Sequence, residues 1–127
     1  MLDMDDSKPI YVQIAEWIEK GIIDGTLQAD EKVYSQYQLA DLFNINPATA
    51  GKGLTLLLDA EIVYKRRGLG TFVSPGARKK LLAKRKEDTL QRLIKELLNE
   101  AELLGVDDHH LLSMIDAERK RKKEDAT

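Results

Sequence analysis

The chain has 127 residues, 43% of them hydrophobic and 33% charged, with a formal charge of −2. That is apolar enough for one ordinary domain, or for a compact domain with a helical appendage, and it excludes a disordered chain. The absence of cysteine excludes a disulfide framework and a thiolate metal site, and the adjacent His109 and His110 point roughly 100° apart on a helix, so they cannot chelate one metal. Met1–Asp6 is short and acidic, unlike an export signal, and no apolar run approaches the roughly 20 residues of a membrane span. A soluble, cytoplasmic protein without metal or cofactor is expected. No nucleophile, base and carboxylate are spaced for catalysis, so no enzyme is expected either.

Pro9 opens the first predicted helix, where Ile10, Ile14, Ile18 and Ile22 form a stripe at fourfold spacing, Trp17 joins the core and Gly25 ends the helix. "GTLQADEKVY" reads as a turn and a short strand. Ser35 caps a second, short helix with Leu39, Leu42 and Phe43 on its apolar side, and "FNIN" is a turn. Asn46 as N-cap and Pro47 at the first position begin a third helix. Its Ala50, Leu54, Leu57 and Leu58 face inward, while Ala48, Thr49, Lys52 and Thr55 lie on or near the opposite side. Gly51 and Gly53 interrupt this helix at a cost of about 1 kcal/mol each relative to alanine. Either a backbone approaches the outer face closely, or a neighbouring helix packs against the inner one. Two short β-type runs, Ile62–Lys65 and Thr71–Val73, then flank "RRGLG", a hairpin with glycines for positive φ. Three helices followed by a β-hairpin is the order of a winged helix-turn-helix, which defines a first domain over residues 1–75.

Residues 76–127 read as a helical region. From Ala77 a long helix carries Leu90, Ile94, Leu97, Ala101 and Leu104 at alternating spacings of four and three, a heptad seam that Leu93 and Leu98 widen. Gly105 ends it, Asp107 or Asp108 caps another helix, and Leu111, Leu112 and Ile115 give that helix its apolar side. Fifty residues this rich in leucine cannot bury it alone. Dimerisation through Leu90, Ile94, Leu97, Ala101, Leu104, Leu111 and Ile115 is expected, the alternative being an intramolecular hairpin lying on the first domain. "RKK" at 78–80 and "KRK" at 84–86 either reach phosphates or form a solvated face, and "RKRKK" at 119–123 reads as a frayed basic tail.

"KPIYVQIAEWIEKGIIDGTL" and "SQYQLADLFNINPATAGKGLTLLLDAEIVYKRRGLGTFV" together resemble the winged-helix domain of GntR-family bacterial transcriptional regulators over nearly all of residues 8–75. "INPATA" resembles the Val-Asn-Pro-Asn-Thr-Val element of the YtrA-like subfamily, "RRGLGTFV" resembles its wing, and the short C-terminal region resembles that subfamily's. The resemblance implies a sequence-specific DNA-binding regulator, a repressor acting as a homodimer on a palindromic operator, with control of a nearby transporter operon by analogy. Asn46, Ala48, Thr49 and Lys52 would then meet the major groove. Ser35, Gln36 and Tyr37 would hold the backbone, and Lys65, Arg66, Arg67 and Gly68 would lie along phosphates or the minor groove. Three departures stand out. Where the family usually has Leu-Pro-Ser-Xaa-Arg this chain has Val33, Tyr34, Ser35, Gln36 and Tyr37, Asp30 replaces a common turn glycine, and Gly51 and Gly53 replace the usual polar residue and alanine. Residues 1–75 also carry 7 Lys and Arg against 11 Asp and Glu, a net charge of −4. With the missing arginine, that surplus motivates a rival reading as a protein–protein module that kept the winged fold and lost specific DNA binding. Neither the operator nor a small-molecule effector is legible in the sequence.

Overall fold

The computed structural model describes residues 7–126. The acidic Met1–Asp6 stretch, read above as unlike an export signal, lies outside the described residues. Two compact units divide the chain, the first ending at Lys84 and the second beginning at Arg85.

In the first unit, α1 (Ile10–Ile23) opens on Pro9, whose carbonyl accepts from the Val12 and Gln13 amides. Ile14, Ile18 and Ile22 are fully buried as the stripe predicts, with Ile10 and Trp17 partly covered beside them. Trp17 meets Phe43 edge-on at 4.9 Å and stacks on Tyr34 at 6.0 Å. The helix ends where Gly25 takes φ +89°. There the Asp24 carboxylate accepts from the Thr26 amide at 3.0 Å and hydroxyl at 2.6 Å, bonds that hold its carboxyl below the usual range.

A capping box starts α2 (Gln36–Phe43): the Ser35 hydroxyl accepts from the Gln38 amide at 3.1 Å, and the Gln38 carboxamide accepts from the Ser35 amide at 2.9 Å. Leu39 and Ala40 are buried and Phe43 partly so. Leu42, expected on the apolar side, is 44% exposed. At 100° per residue it falls roughly 100° from the centre of the arc formed by Leu39, Ala40 and Phe43. Asn44 turns the chain in the left-handed region, φ +53°, and the Asn46 side chain accepts from the Ala48 amide at 2.8 Å to cap α3 (Pro47–Asp59). Ala50, Leu54 and Leu57 bury against the core, with Leu58 partly covered.

Strands β1 (Val63–Arg66) and β2 (Gly70–Val73) pair antiparallel from Val63 opposite Val73 to Arg66 opposite Gly70. The strand expected before α2 is a short edge on β2, where Lys32 bridges Phe72 and the Asp30 and Val33 amides donate to Val73 and Thr71 at 2.8 and 2.9 Å. The order of elements is that of a winged helix-turn-helix. Asp30, where the resemblance marks a glycine, sits at φ +65°, a left-handed conformation that aspartate tolerates better than most residues.

Helix α4 (Ala77–Arg85) extends the first unit past residue 75, because Ala77 and Leu81 are buried in the same core. Two cations of the 78–80 cluster are committed within it. Arg78 Nε donates to the Ile23 carbonyl at 3.0 Å and Lys80 Nζ to the Ala60 carbonyl at 2.6 Å, at the C-terminal ends of α1 and α3 where cations are favoured.

The second unit comprises a π-helical segment, Lys86–Leu90, followed by α5 (Gln91–Leu103) and α6 (Asp108–Asp125). Gly105 at φ +70° and a bond from the Val106 amide to the Ala101 carbonyl at 2.8 Å close α5, and Asp107 caps α6 by accepting from the His110 amide at 2.8 Å. Ala101 and Leu111 are buried, whereas Leu90, Ile94, Leu97, Leu104 and Ile115 remain exposed. The basic run at 119–123 is not a frayed tail but part of α6. Lys120 pairs with Asp116 at 3.4 Å, and Arg121 with both Glu118 and Asp125, at the three- and four-residue spacings that support an exposed helix.

Candidate nucleic-acid interface

Burying Ala50, Leu54 and Leu57 leaves Ala48, Lys52, Thr55 and Leu56 exposed on the outer face of α3, with Thr49 half-buried at its edge. These side chains do not stand on a flat surface. An open groove of about 500 Å³ is lined by Ala48, Gly51, Lys52, Thr55 and Leu56 of α3, with Gln36 of α2 and Tyr11 of α1. Gln36 belongs there because Gly51 has no side chain: a Cβ at Gly51 would lie 3.3 Å from the Gln36 carboxamide oxygen. The Lys52 ammonium lies 5.6 Å from the centre of the Tyr11 ring.

Several expected site residues already have work inside the fold. The Asn46 carboxamide oxygen is the cap of α3, leaving its NH2 group to donate outward. The Ser35 oxygen accepts within the capping box and keeps its proton for donation. Thr55 donates to the Gly51 carbonyl at 3.0 Å. Tyr37 is 67% exposed on α2.

The wing separates its cations. Arg66 is exposed, with its guanidinium over the Tyr64 and Phe72 rings at 5.7 and 5.3 Å, and those rings stack at 5.9 Å. Arg67 and Gly68 form the exposed tip, where the Leu69 amide donates to the Arg66 carbonyl at 2.9 Å and Gly68 takes φ +78° with open space around it. Lys65 is exposed on β1. The sequence did not point to Tyr11 or to the groove that Leu56 lines, because these depend on which elements meet in space, nor to the stacking of Arg66, which depends on the strand register of the hairpin.

The Tyr64 hydroxyl donates to Asp30 Oδ1 at 2.6 Å, tying the wing to the segment before α2. That bond to a carboxylate raises the phenol above its ordinary pKa. The protonated phenol is the form the fold favours. Its contribution is therefore complete below the ordinary phenol value of about 10 and is lost as pH rises through the higher folded value. Ultraviolet titration of the four tyrosines should show one ionising late, and Tyr64→Phe should remove that late step; identical curves for the two proteins would contradict the link.

No protein-family model matches the chain. The HTH-type transcriptional repressor YtrA of Bacillus subtilis (strain 168) is 30% identical over 106 residues, which cover 84% of this chain and 81% of YtrA. A solved GntR family transcriptional regulator from Listeria monocytogenes is also 30% identical, covers 90% of this chain and 98% of its own, and superposes with a TM-score of 0.70. The chain belongs to the GntR family of transcriptional regulators. Within that family it is YtrA-like. The winged unit of this GntR-family regulator also matches the DNA-binding domain of AraR, solved in complex with operator ORX1, at 26% identity over 58% of this chain and 92% of that one, with a TM-score of 0.52.

Proposed function

We propose that this GntR-family chain is a cytoplasmic, non-enzymatic repressor that binds a two-fold symmetric operator as a homodimer. One observation carries the reading: the outer face of α3 is lined by small and polar groups, Ala48, Gly51, Lys52 and Thr55, that leave a groove beside its backbone. An α-helix fits the major groove, where an alanine can meet a thymine methyl and a lysine can reach guanine O6 and N7. Asn46 and Thr49 add donors at the start of the helix. Ser35, Gln36 and Tyr37 contribute from α2, with the Tyr37 phenol donating to a phosphate, since it cannot reproduce the bidentate fork of an arginine. Arg67 and Gly68 carry the wing to the backbone, with Lys65 beside them. Arg66 serves by stiffening the wing. The net acidity of residues 1–75 does not oppose this, because attraction to phosphate follows the local patch.

Selection of bound sequences from a random DNA pool tests the reading. A two-fold symmetric consensus is expected, with half-sites about one helical turn or a multiple of it apart. Affinity for that consensus should fall linearly with the logarithm of salt concentration; a winged module that has lost DNA would enrich no sequence at any salt. Within that assay Arg67→Ala should weaken operator and random DNA alike and lower the salt slope by about 1. Thr49→Ala should weaken the operator selectively. Unchanged affinity in both variants, with folding intact, would remove this site assignment.

The homodimer is supported by the second unit. Leu90, Ile94, Leu97 and Leu104 keep the heptad spacing and are 43–66% exposed in the single chain, and Ile115 is 37% exposed on α6. An apolar seam of that kind is covered by an identical partner in a two-fold dimer. Ala101 and Leu111 are already buried within the chain and contribute to the seam by shaping the unit beneath it.

A further inference from the structure

Helices α1 and α3 pack closely where α3 has Gly53. A Cβ built there would lie 2.8 Å from the Tyr11 carbonyl oxygen and 3.1 Å from Ile14 Cγ2, so only glycine admits this turn of α1. The approach has a consequence on the outside of the molecule. Tyr11, half-buried, lines the groove on the outer face of α3, with its ring centre 5.6 Å from Lys52 Nζ. Lys52 is the only lysine or arginine on α3, and Gly51 beside it offers no side chain to restrain it. A lysine has four rotatable carbons and loses much rotamer freedom when ordered.

We propose that Tyr11 is a positioning residue for base readout: the face of its ring holds the Lys52 ammonium over the groove, so that Lys52 meets a guanine edge at one defined base pair of each half-site. The chemistry is that of a cation over an aromatic face, which needs the ring and not the hydroxyl. Guanine is the base whose major-groove edge offers two acceptors, O6 and N7, to a cation. The inference rests on the reading of α3 as the helix that enters the major groove.

Three proteins, wild type, Tyr11→Phe and Tyr11→Leu, are carried through selection from a random DNA pool, followed by titration on the wild-type consensus and on a copy with each candidate guanine replaced. Wild type and Tyr11→Phe should share one consensus and one affinity. Tyr11→Leu should lose about two- to fivefold of its preference for guanine at a single position per half-site, with binding to random DNA unchanged. A Tyr11→Leu protein that keeps the full guanine preference overturns the proposal, as does a Tyr11→Phe protein that loses as much as Tyr11→Leu. Wild type enriching no sequence would sink the DNA reading and this inference with it, whereas a wild-type consensus with an indifferent Tyr11→Leu sinks this inference alone. Should Tyr11→Leu fail to fold, nuclear magnetic resonance of the free wild-type chain decides. The Lys52 ε-methylene protons should be shifted upfield by the ring current of Tyr11, equally so in Tyr11→Phe, and protons at the ordinary lysine position would overturn the contact.

Discussion

The double variant Ile94→Asp, Leu97→Asp should convert the proposed dimer to a monomer and lower operator affinity by about 10²- to 10⁴-fold, the range by which joining two binding modules raises apparent affinity. Both positions lie on α5, three residues apart on the same seam, and are about half exposed in the single chain. In the monomer, aspartate there stays in water and costs little. Across a two-fold seam it would be buried without a cation to pair with, and an unpaired buried charge is not tolerated. The variant therefore separates assembly from folding. The winged unit has its own core, built from Ile14, Ile18, Leu39, Leu57, Val63 and Leu81, and should melt as before. Sedimentation reads the mass and titration the affinity. A wild type that is monomeric at micromolar concentration, or a double variant that stays dimeric with full affinity, would give the leucines of α5 another purpose.

The second expectation concerns the two glycines of α3, whose replacements should act with opposite sign. Gly51→Ala should raise stability by about 0.5–1 kcal/mol, the ordinary helix-propensity gain. The nearest side-chain atoms are those of the Gln36 carboxamide at 3.3–3.6 Å, the far end of a flexible chain that can swing aside. Gly53→Val should lower stability by about 1–3 kcal/mol, the usual cost of overpacking. What it meets is the Tyr11 backbone carbonyl at 2.8 Å and the branched Ile14 side chain, neither of which yields without moving α1. Urea midpoints at unchanged m-value would measure both. Equal shifts of the same sign would show that these two glycines are tolerated for one common reason.

The pair also shows what the sequence could and could not reveal. It left both glycines open between a close approach outside and tight packing inside. The structure divides them, Gly53 to the packing and Gly51 to the groove. The Ile14, Ile18 and Ile22 stripe, the Asn46–Pro47 start of α3 and the hairpin around "RRGLG" were legible because each is a local pattern of spacing, capping or turn chemistry. The strand ends were less so: β1 runs from Val63 to Arg66, shifted one residue toward the C-terminus from the expected Ile62–Lys65, and β2 begins at Gly70 rather than Thr71. Leu42 was misplaced because an eight-residue helix offers too few turns to fix its buried arc. Tyr11 beside Lys52, Arg66 across two rings, and Arg78 and Lys80 on the ends of other helices were invisible for a different reason. Lys52, Arg78 and Lys80 each join segments distant in the chain, where tertiary packing brings a ring or carbonyl within reach, whereas Arg66 settles on rings of its own hairpin, Tyr64 two residues before it and the cross-strand Phe72.

The aromatic cluster of the first unit gives the molecule a built-in optical probe. Trp17 is the sole tryptophan of the chain, held edge-on to Phe43 of α2 and stacked on Tyr34. Its emission therefore reports the docking of α2 against α1, and the second unit has no tryptophan of its own. The helical circular dichroism is shared by both units, with α5 and α6 supplying much of it. Following the two signals through one denaturant titration resolves the winged unit from its helical extension without a label, and coincident curves would mean that the two melt as one.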